Sequence, residues 1–198
     1  MKVFAIVLAA GEGRRIGGPK ALLPLGDTTF LHRACAVLSR PGVAGVVAVI
    51  GAEADRVREV ALPPEVTIVE NPAWRSGMLS SVLRGLDAAE ARGAEAVLLH
   101  PVDHPFVAPE TVDRVVNALE AGAFIAVPSH DGHRGHPGGF GREAFAALRA
   151  APPDRGARHV LAEDPAQVTH VTGDPGCRRG VNTPADLEAA VREERSSS

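Results

Sequence analysis

The 198-residue chain contains no tyrosine, one tryptophan and two cysteines. Aromatic residues make up only 4% of it, which argues against a base-stacking platform for single-stranded nucleic acid. Cys35 and Cys177 are too few for a disulfide framework. No apolar run approaches the ~18 residues that a membrane span needs. The net charge of −3 gives no electrostatic basis for binding nucleic acid or a membrane surface, so we expect small-molecule partners.

Short apolar runs of strand length alternate with stretches of helical composition. The predicted strands are Val3–Leu8, Val43–Ile50, Val66–Val69, Ala96–Leu99, Phe124–Pro128 and Val168–Val171. The predicted helices are Phe30–Leu38, Glu53–Val60, Met78–Ala91, Pro109–Leu119, Glu143–Leu148 and Pro184–Arg192. This alternation predicts an α/β fold, a Rossmann-like three-layer sandwich around a mostly parallel sheet. We expect one domain over residues 1–192, a flexible tail over residues 193–198, and a loop at Gly132–Gly141.

The first apolar run, from Val3 to Ala10, resembles a short signal peptide in length. It stops at Gly11 and continues directly into a glycine- and arginine-rich segment, which is typical of a phosphate-binding loop. We therefore interpret the run as a buried strand and expect a cytoplasmic protein.

The segment that follows this strand has glycines at positions 11, 13, 17 and 18, with Arg14, Arg15 and Lys20 among them. Glycines let backbone N–H groups approach a polyphosphate because no Cβ blocks the way, and the three cations add positive charge. The spacing is not the G-x-G-x-x-G of a dinucleotide site, and Lys20 is not followed by Ser or Thr as in a P-loop. A glycine-rich turn beside surface arginines is the alternative interpretation.

Polar residues after later strands add to this pattern. Asp103 follows an apolar strand, where a carboxylate is costly unless it meets a cation, so we predict that it binds Mg²⁺. Asn182 offers a carbonyl oxygen to the same ion, or it caps the helix from Pro184. The free N–H groups and hydroxyls at Ser80 and Ser81 suit an anionic acceptor or a ribose. The spacing of His130, His133 and His136 leaves a zinc site as a weaker alternative.

Taken together, these motifs resemble the MobA-like nucleotidyltransferases. The first is Leu8–Leu25, which contains the glycine-rich loop. The others are Asn71-Pro-x-Trp74-x-x-Gly77-Met78-x-Ser80-Ser81, Asp103-x-Pro105, Arg134-Gly135-His136-Pro137, Asp154-x-Gly156-Ala157-Arg158 and Asn182-Thr-Pro184-x-Asp186-Leu187. The set is most similar to the molybdenum cofactor cytidylyltransferase branch and covers nearly the whole chain. That branch usually carries Asp-x-Asp-Thr-Pro where this chain has Gly180-Val181-Asn182-Thr183-Pro184.

The resemblance implies a role for each matching position. Catalysis falls to Lys20, Arg15 and Asp103, with Arg15 on the β- and γ-phosphates and Lys20 on the α-phosphate. The implied nucleotide-binding residues are Leu8, Ala9, Ala10, Gly11, Gly13, Arg14, Gly17, Lys20, Asn71 and Ser80. The implied acceptor-binding residues are Ser81, Arg134, His136 and Arg158. Mg²⁺ is the implied cofactor, with Asp103 and Asn182 as its ligands.

The resemblance also implies the reaction. CMP passes from CTP to a molybdopterin-type cofactor and pyrophosphate is released, with a molybdoenzyme as the eventual client. The alternatives are guanylyl transfer from GTP to the same acceptor, nucleotidyl transfer to a sugar phosphate or other phospho-acceptor, and a non-catalytic cofactor carrier. We predict CTP over GTP because Leu8-Ala9-Ala10-Gly11 resembles the cytidylyl version. The methyl group of Ala10 also narrows the base pocket toward a pyrimidine.

Overall fold

The apolar runs pair into one mixed sheet in the computed structural model, which describes residues 1–197. The strands are β1 (Val3–Ala9), β2 (Pro24–Leu25), β3 (Thr28–Thr29), β4 (Gly45–Ile50), β5 (Val66–Glu70), β6 (Ala96–Pro101), β7 (Ile125–His130), β8 (His133–Arg134), β9 (Gly138–Gly141) and β10 (Val168–Thr172). The order in the main sheet is β10-β7-β9-β6-β1-β4-β5, with β8 beside β7, while β2 and β3 form a separate hairpin. The pairs β1–β4, β1–β6, β4–β5 and β7–β10 are parallel. The predicted mostly parallel sheet is confirmed.

Helices cover both faces of this sheet. They are α1 (Phe30–Leu38), α2 (Ala54–Arg58), α3 (Met78–Glu90), α4 (Pro109–Glu120), α5 (Phe145–Ala150), α6 (Ala157–Glu163) and α7 (Pro184–Ser197). Buried residues of α1, α2, α4 and α7 form one core with one face of the sheet, and those of α3, α5 and α6 form a second core with the other face. The predicted three-layer sandwich is therefore confirmed. Within residues 1–197, no helix combines the length and apolar character needed to cross a membrane.

Strand β1 supplies both cores because successive side chains of a strand point to opposite faces. Val3 and Val7 belong to the core under α1, whereas Phe4 and Ile6 belong to the core under α3. A strand buried on both faces reads as a continuous apolar run, which is why its sequence signal was clear.

The prediction of a loop at Gly132–Gly141 was wrong. This segment contains β8 and β9, and β9 pairs antiparallel with both β6 and β7. A Cβ atom built on Gly139 would lie 2.8 Å from the Cγ1 atom of Val115 in α4. Glycine therefore permits close approach of a helix to the sheet here, although the same glycines lower the β-propensity of the segment.

The last helix extends beyond its predicted end at Arg192. Residues 193–197, which the sequence analysis assigned to a flexible tail, continue α7, and Ser198 lies outside the described residues. Arg33 in α1 forms an ion pair with Glu194, and Arg179 forms one with Glu193. Both contacts tie this part of α7 to the rest of the chain. Helix α6 was not predicted, because its seven residues carry only a short apolar pattern.

Candidate active site

Two adjoining cavities open at the carboxyl ends of β1 and β6, where parallel sheets bind ligands. The larger cavity has a volume of about 650 Å³ and the smaller one about 260 Å³. Both are lined by Leu8, Lys20, Met78, Pro101 and Asp103. These shared residues mark a junction, so two ligands bound in the two cavities would meet beside Lys20 and Asp103.

The glycine-rich loop forms one wall of the smaller cavity, and Gly13 shapes it. Gly13 has a φ of +64°, and its carbonyl oxygen accepts hydrogen bonds from the N–H groups of Ile16 (3.0 Å) and Gly18 (3.3 Å). A Cβ atom at Gly13 would lie 1.9 Å from the carbonyl oxygen of Gly18, so a side chain would break this turn. The turn leads the chain back to Lys20 at the junction.

At the junction, the Lys20 ammonium bridges two oxygens from distant parts of the chain. Its Nζ atom lies 2.6 Å from Asp103 Oδ2 and 2.7 Å from Asn182 Oδ1. The side chains of Lys20 and Asp103 are only 17% and 20% exposed, so water screens this ion pair weakly. The predicted catalytic lysine and the two predicted metal ligands are thus brought together.

Backbone contacts fix Asn182 in this position. The N–H of Val181 donates to the carbonyl oxygen of Asp103 (2.8 Å), which joins the two predicted metal-ligand segments. The Asp186 carboxylate accepts from the N–H groups of Asn182 (2.9 Å) and Thr183 (2.8 Å), and Thr183 Oγ1 accepts from the N–H of Asp186. These hydrogen bonds, first that from Asn182, lower the pKa of Asp186. Thr183 and Asp186 therefore cap α7, and the alternative that the Asn182 side chain is the cap was wrong.

The donor set suits Mg²⁺. One carboxylate oxygen and one amide oxygen lie within hydrogen-bond distance of a single point, now taken by the Lys20 ammonium. Mg²⁺ binds such hard oxygen ligands and usually takes only one or two from the protein, completing its shell with water and substrate phosphates. Asp103 and Asn182 would hold the ion.

The larger cavity combines an apolar floor with a cationic rim. The buried side chains that line it are Leu79, Val82, Leu99, Val127 and Phe140. The exposed side chains of Arg134, Arg155 and Arg158 line the same cavity, and Arg134 also donates to the carbonyl oxygen of Leu161. This arrangement favours a ligand with an apolar or planar body and an anionic group.

Three histidines lie side by side next to Asp103. The rings of His104 and His136, which both line the larger cavity, pack edge to face with centroids 4.5 Å apart. His100 is fully buried, and its Nε2 atom donates to the carbonyl oxygen of His104 (3.1 Å). Burial lowers the pKa of all three rings, to about 3 for His136. Because each pKa is lowered from an ordinary value of about 6.5, the three rings are neutral near pH 7. In the described part of the chain their Nδ1 atoms have no hydrogen-bond partner.

Polar side chains at the start of α3 mainly bond to one another. The buried Asn71 side chain donates to Ser80 Oγ (2.9 Å) and Ser81 Oγ (3.0 Å), and its oxygen accepts from the N–H of Ala73. The Ser76 hydroxyl donates to the carbonyl oxygen of Ala73 and does not cap α3. Asn71 and Ser80 thus hold the β5–α3 connection against the helix.

The other predicted residues divide between the cavities and the surrounding structure. The smaller cavity is lined by Ala10, Gly11, Gly13 and Ser81, and the larger by Arg15, Arg134, His136, Arg158 and Asn182. Ser81 therefore lies on the side of the glycine-rich loop, apart from the three other residues predicted to bind the acceptor. Arg14 points outward with 80% of its side chain exposed and pairs with Glu12, while Ala9 is buried in the core. Gly17 ends a short turn with a φ of +88°.

Sequence reasoning assigned no role to His104 or Met78, both of which line the larger cavity. Asp154 and Arg155, which belong to the motif at residues 154–158, line it as well. Met78 is 66% exposed although it is apolar, and it lines both cavities. Trp74 is only half-buried and lines the smaller cavity. The position of His104 directly after Asp103 was the one signal available in the sequence.

The zinc alternative for His130, His133 and His136 gains no support. Among the described residues, no group of three or more His, Cys, Asp or Glu side chains is arranged to hold a metal ion. The Nδ1 atom of His130 lies 3.2 Å from the carbonyl oxygen of Gly173, and that of His133 lies 2.7 Å from the carbonyl oxygen of Asp131. His136 instead packs edge to face against His104.

A family comparison decides where the chain belongs. Residues 5–170 match the model of the MobA-like NTP transferase domain. The chain belongs to this family. The resemblance inferred from the sequence motifs is thereby confirmed.

Relatives of this chain carry different names. The chain is 40% identical over 140 residues to a 2-C-methyl-D-erythritol 4-phosphate cytidylyltransferase of Cereibacter sphaeroides, and the match covers 66% of this chain and 60% of the relative's length. It is 37% identical to the nicotine blue oxidoreductase of Paenarthrobacter nicotinovorans, covering 82% and 83%. It is 38% identical to a molybdenum cofactor guanylyltransferase of Cereibacter sphaeroides, covering 69% and 67%. The chain thus spans about 60% of the first of these relatives.

Solved structures share the fold over nearly the whole chain. Rv0371c of Mycobacterium tuberculosis H37Rv superposes with a TM-score of 0.84 at 28% identity, covering 97% of this chain and 98% of that one. A complex of the same protein with manganese superposes with a TM-score of 0.76 at 27% identity, covering 97% and 99%.

Proposed function

We propose that this MobA-like chain is a Mg²⁺-dependent nucleotidyltransferase that moves CMP from CTP onto the phosphate of a molybdopterin-type cofactor and releases pyrophosphate. The observation that carries the proposal is the junction of the two cavities. Lys20, Asp103 and Asn182 meet there, between a glycine-rich loop that suits a triphosphate and a cationic cavity that suits a second anionic ligand.

The proposed reaction is an in-line displacement at phosphorus. An oxygen of the acceptor phosphate forms a bond to the α-phosphorus of CTP, the bond from that phosphorus to the α–β bridging oxygen breaks, and pyrophosphate leaves with the electron pair. Negative charge shifts toward the departing oxygens, so catalysis consists of positioning and electrostatic stabilisation. Lys20 lies at the junction where the α-phosphorus would sit, and Arg15 lines the adjoining cavity.

Mg²⁺ would neutralise phosphate charge when bound, held by Asp103 and Asn182. The manganese complex of Rv0371c supports a divalent ion in this fold. Asn182 brings no charge, so we expect weaker binding of the ion than a pair of carboxylates would give.

The acceptor is proposed from the character of the larger cavity. A molybdopterin-type cofactor has a planar heterocycle and a phosphate, which suit the apolar floor and the rim of Arg134, Arg155 and Arg158. A polyol phosphate would leave hydroxyl groups against Leu99, Val127 and Phe140, where they lose hydrogen bonds to water. The relative named molybdenum cofactor guanylyltransferase supports the same acceptor.

The base is proposed from the start of the glycine-rich loop. Ala10 is 4% exposed and lines the smaller cavity beside Gly11. Its methyl group narrows this space, which favours a pyrimidine by ~1–3 kcal/mol, enough for a preference but not for absolute exclusion. The relative named as a cytidylyltransferase supports CTP.

Three other activities and a carrier role are the alternatives. Guanylyl transfer is suggested by one relative, and transfer to a polyol phosphate by another. Oxidoreduction is suggested by the relative named nicotine blue oxidoreductase, although the glycine spacing in this chain differs from a dinucleotide fingerprint. A non-catalytic cofactor carrier would use the two cavities for binding and would catalyse no reaction.

We further propose that the enzyme acts in the cytoplasm and supplies a molybdoenzyme client.

One assay separates these functions. The purified protein is incubated with Mg²⁺ and CTP, GTP, ATP or UTP in turn, with molybdopterin cofactor, 2-C-methyl-D-erythritol 4-phosphate or no acceptor, and pyrophosphate release is measured. We expect the highest kcat/KM with CTP and molybdopterin cofactor, with GTP slower by roughly tenfold or more. The matched variant Ala10→Gly should reduce that preference, and Asp103→Asn should give no release.

Other outcomes would contradict the proposal in different ways. Higher kcat/KM with GTP would make the chain a guanylyltransferase, and turnover with the erythritol phosphate alone would change the acceptor. Absence of pyrophosphate release, combined with oxidation of NADH or NADPH by an added quinone-type dye, would favour an oxidoreductase. Cofactor binding without either reaction would favour a carrier.

A further inference from the structure

Lys20 occupies the point where a metal ion is expected to bind. Its ammonium nitrogen contacts Asp103 Oδ2 at 2.6 Å and Asn182 Oδ1 at 2.7 Å, and these are the two oxygens proposed to hold Mg²⁺. An ammonium ion and a divalent cation cannot share the same pair of oxygens, because the two positive charges would lie within a few ångströms of each other. Since the Lys20 and Asp103 side chains are 17% and 20% exposed, solvent weakens that repulsion only in part.

The backbones of the two oxygen-bearing residues are held in place by hydrogen bonds. The Val181 N–H holds the carbonyl oxygen of Asp103, and the Asp186 carboxylate holds the N–H of Asn182. Asp103 also lies in the turn two residues after β6, a strand in the interior of the sheet. Lys20, in contrast, carries its charge on a flexible four-carbon stem. The lysine is therefore the partner that moves.

A destination for the displaced ammonium exists at the same place. Lys20 lines both cavities, so its side chain already borders the space that either ligand would occupy. A triphosphate in the smaller cavity supplies the anionic partner that Lys20 loses when Asp103 binds the metal ion.

We propose that Lys20 is the resident counter-ion of the metal site, and that a divalent metal ion enters only as the ammonium transfers from Asp103 and Asn182 to the nucleotide phosphates. This inference rests on the proposed function. It means that metal and nucleotide bind together, and that the lysine reaches the α-phosphate only after both are present. The arrangement prevents the enzyme from holding a metal ion tightly without its nucleotide.

The test measures Mn²⁺ binding without turnover. Free Mn²⁺ is quantified by electron paramagnetic resonance during titration of the wild-type protein, Lys20→Met and Lys20→Gln, in the absence of nucleotide. We expect both variants to bind Mn²⁺ about tenfold more tightly than the wild type, since one repelling charge is gone. Arg15→Met is the matched control, because it removes another cation that lines the larger cavity and should change the affinity much less. Circular dichroism confirms that each variant is folded.

A second titration adds a non-hydrolysable CTP analogue. The analogue should tighten Mn²⁺ binding more in the wild type than in Lys20→Met, because only the wild type has an ammonium to displace. Equal Mn²⁺ affinity in the wild type and both Lys20 variants, with loss of binding in Asp103→Asn, would overturn the inference while leaving the metal site in place. Unchanged binding in Asp103→Asn would overturn the metal site and the inference together, whereas the choice of nucleotide and acceptor is judged by pyrophosphate release alone.

Discussion

The buried histidines His100, His104 and His136 lead us to predict that the protein becomes less stable as the pH falls. His100 and His136 are held neutral because burial lowers the pKa of each ring, to about 3 for His136. In the unfolded chain the same rings have a pKa of about 6.5. Below pH 6.5 the unfolded state therefore binds more protons than the folded state, so the free energy of unfolding decreases as the pH falls.

The size of this effect follows from the pKa difference. A histidine that stays neutral in the folded state at pH 5 lowers the free energy of unfolding by about 2 kcal/mol between pH 7.5 and pH 5. The reason is that the same ring takes up a proton in the unfolded state, where its pKa is ~6.5. His136, with a pKa of about 3, should therefore lower the free energy of unfolding by about 2 kcal/mol, and His100 and His104, whose pKa values are also lowered by burial, act in the same direction. Since whole domains are stable by ~5–15 kcal/mol, the loss is large enough to measure.

Urea unfolding followed by circular dichroism between pH 5 and 8 measures this slope. His100→Gln should reduce the pH dependence of the free energy of unfolding over that range, because one buried ring with a lowered pKa is removed while an amide remains to meet the carbonyl oxygen of His104. The matched control is His170→Gln, which changes an exposed histidine on β10 and should leave the slope unchanged. A wild-type protein with equal stability at pH 5 and 7.5, or a His100→Gln variant with the wild-type slope, would refute the reasoning.

Two further predictions concern the metal ligands and the packing of α3. Asp103→Ala should abolish Mg²⁺-dependent pyrophosphate release while the protein stays folded, whereas Asn182→Ala should raise the Mg²⁺ concentration needed for half-maximal rate and Asn182→Asp should keep activity. Wild-type metal dependence in both Asn182 variants would limit that residue to a structural role. Gly85→Ala should destabilise the fold by roughly 1–3 kcal/mol in urea unfolding, because the new Cβ atom would lie 2.4 Å from Ile6 Cγ2, a clash that outweighs the better helix propensity of alanine. An unchanged unfolding midpoint would show that α3 can move away from the sheet.

Several features of this protein were determined by short segments of its sequence. The continuous apolar run of β1 indicates a strand buried on both faces, and its position before Gly11 predicts a loop at the ligand-binding edge. Asp103 was predicted to bind a cation because a carboxylate directly after a buried strand needs a partner. These signals are readable because side-chain periodicity and the requirement to neutralise buried charge act over a few residues.

Tertiary structure alone decided which residues meet. Lys20 and Asn182 are 162 positions apart and bond directly, and His104 packs against His136 from a different strand connection. The segment Gly138–Gly141 becomes a central antiparallel strand although its composition is typical of a loop, since the close approach of α4 requires glycine there. The contact of the Lys20 ammonium with the predicted metal ligands could not be inferred from the sequence, because it depends on how the sheet brings distant loops to one edge. Local patterns identified the charged groups, and the three-dimensional fold determined which of them became partners.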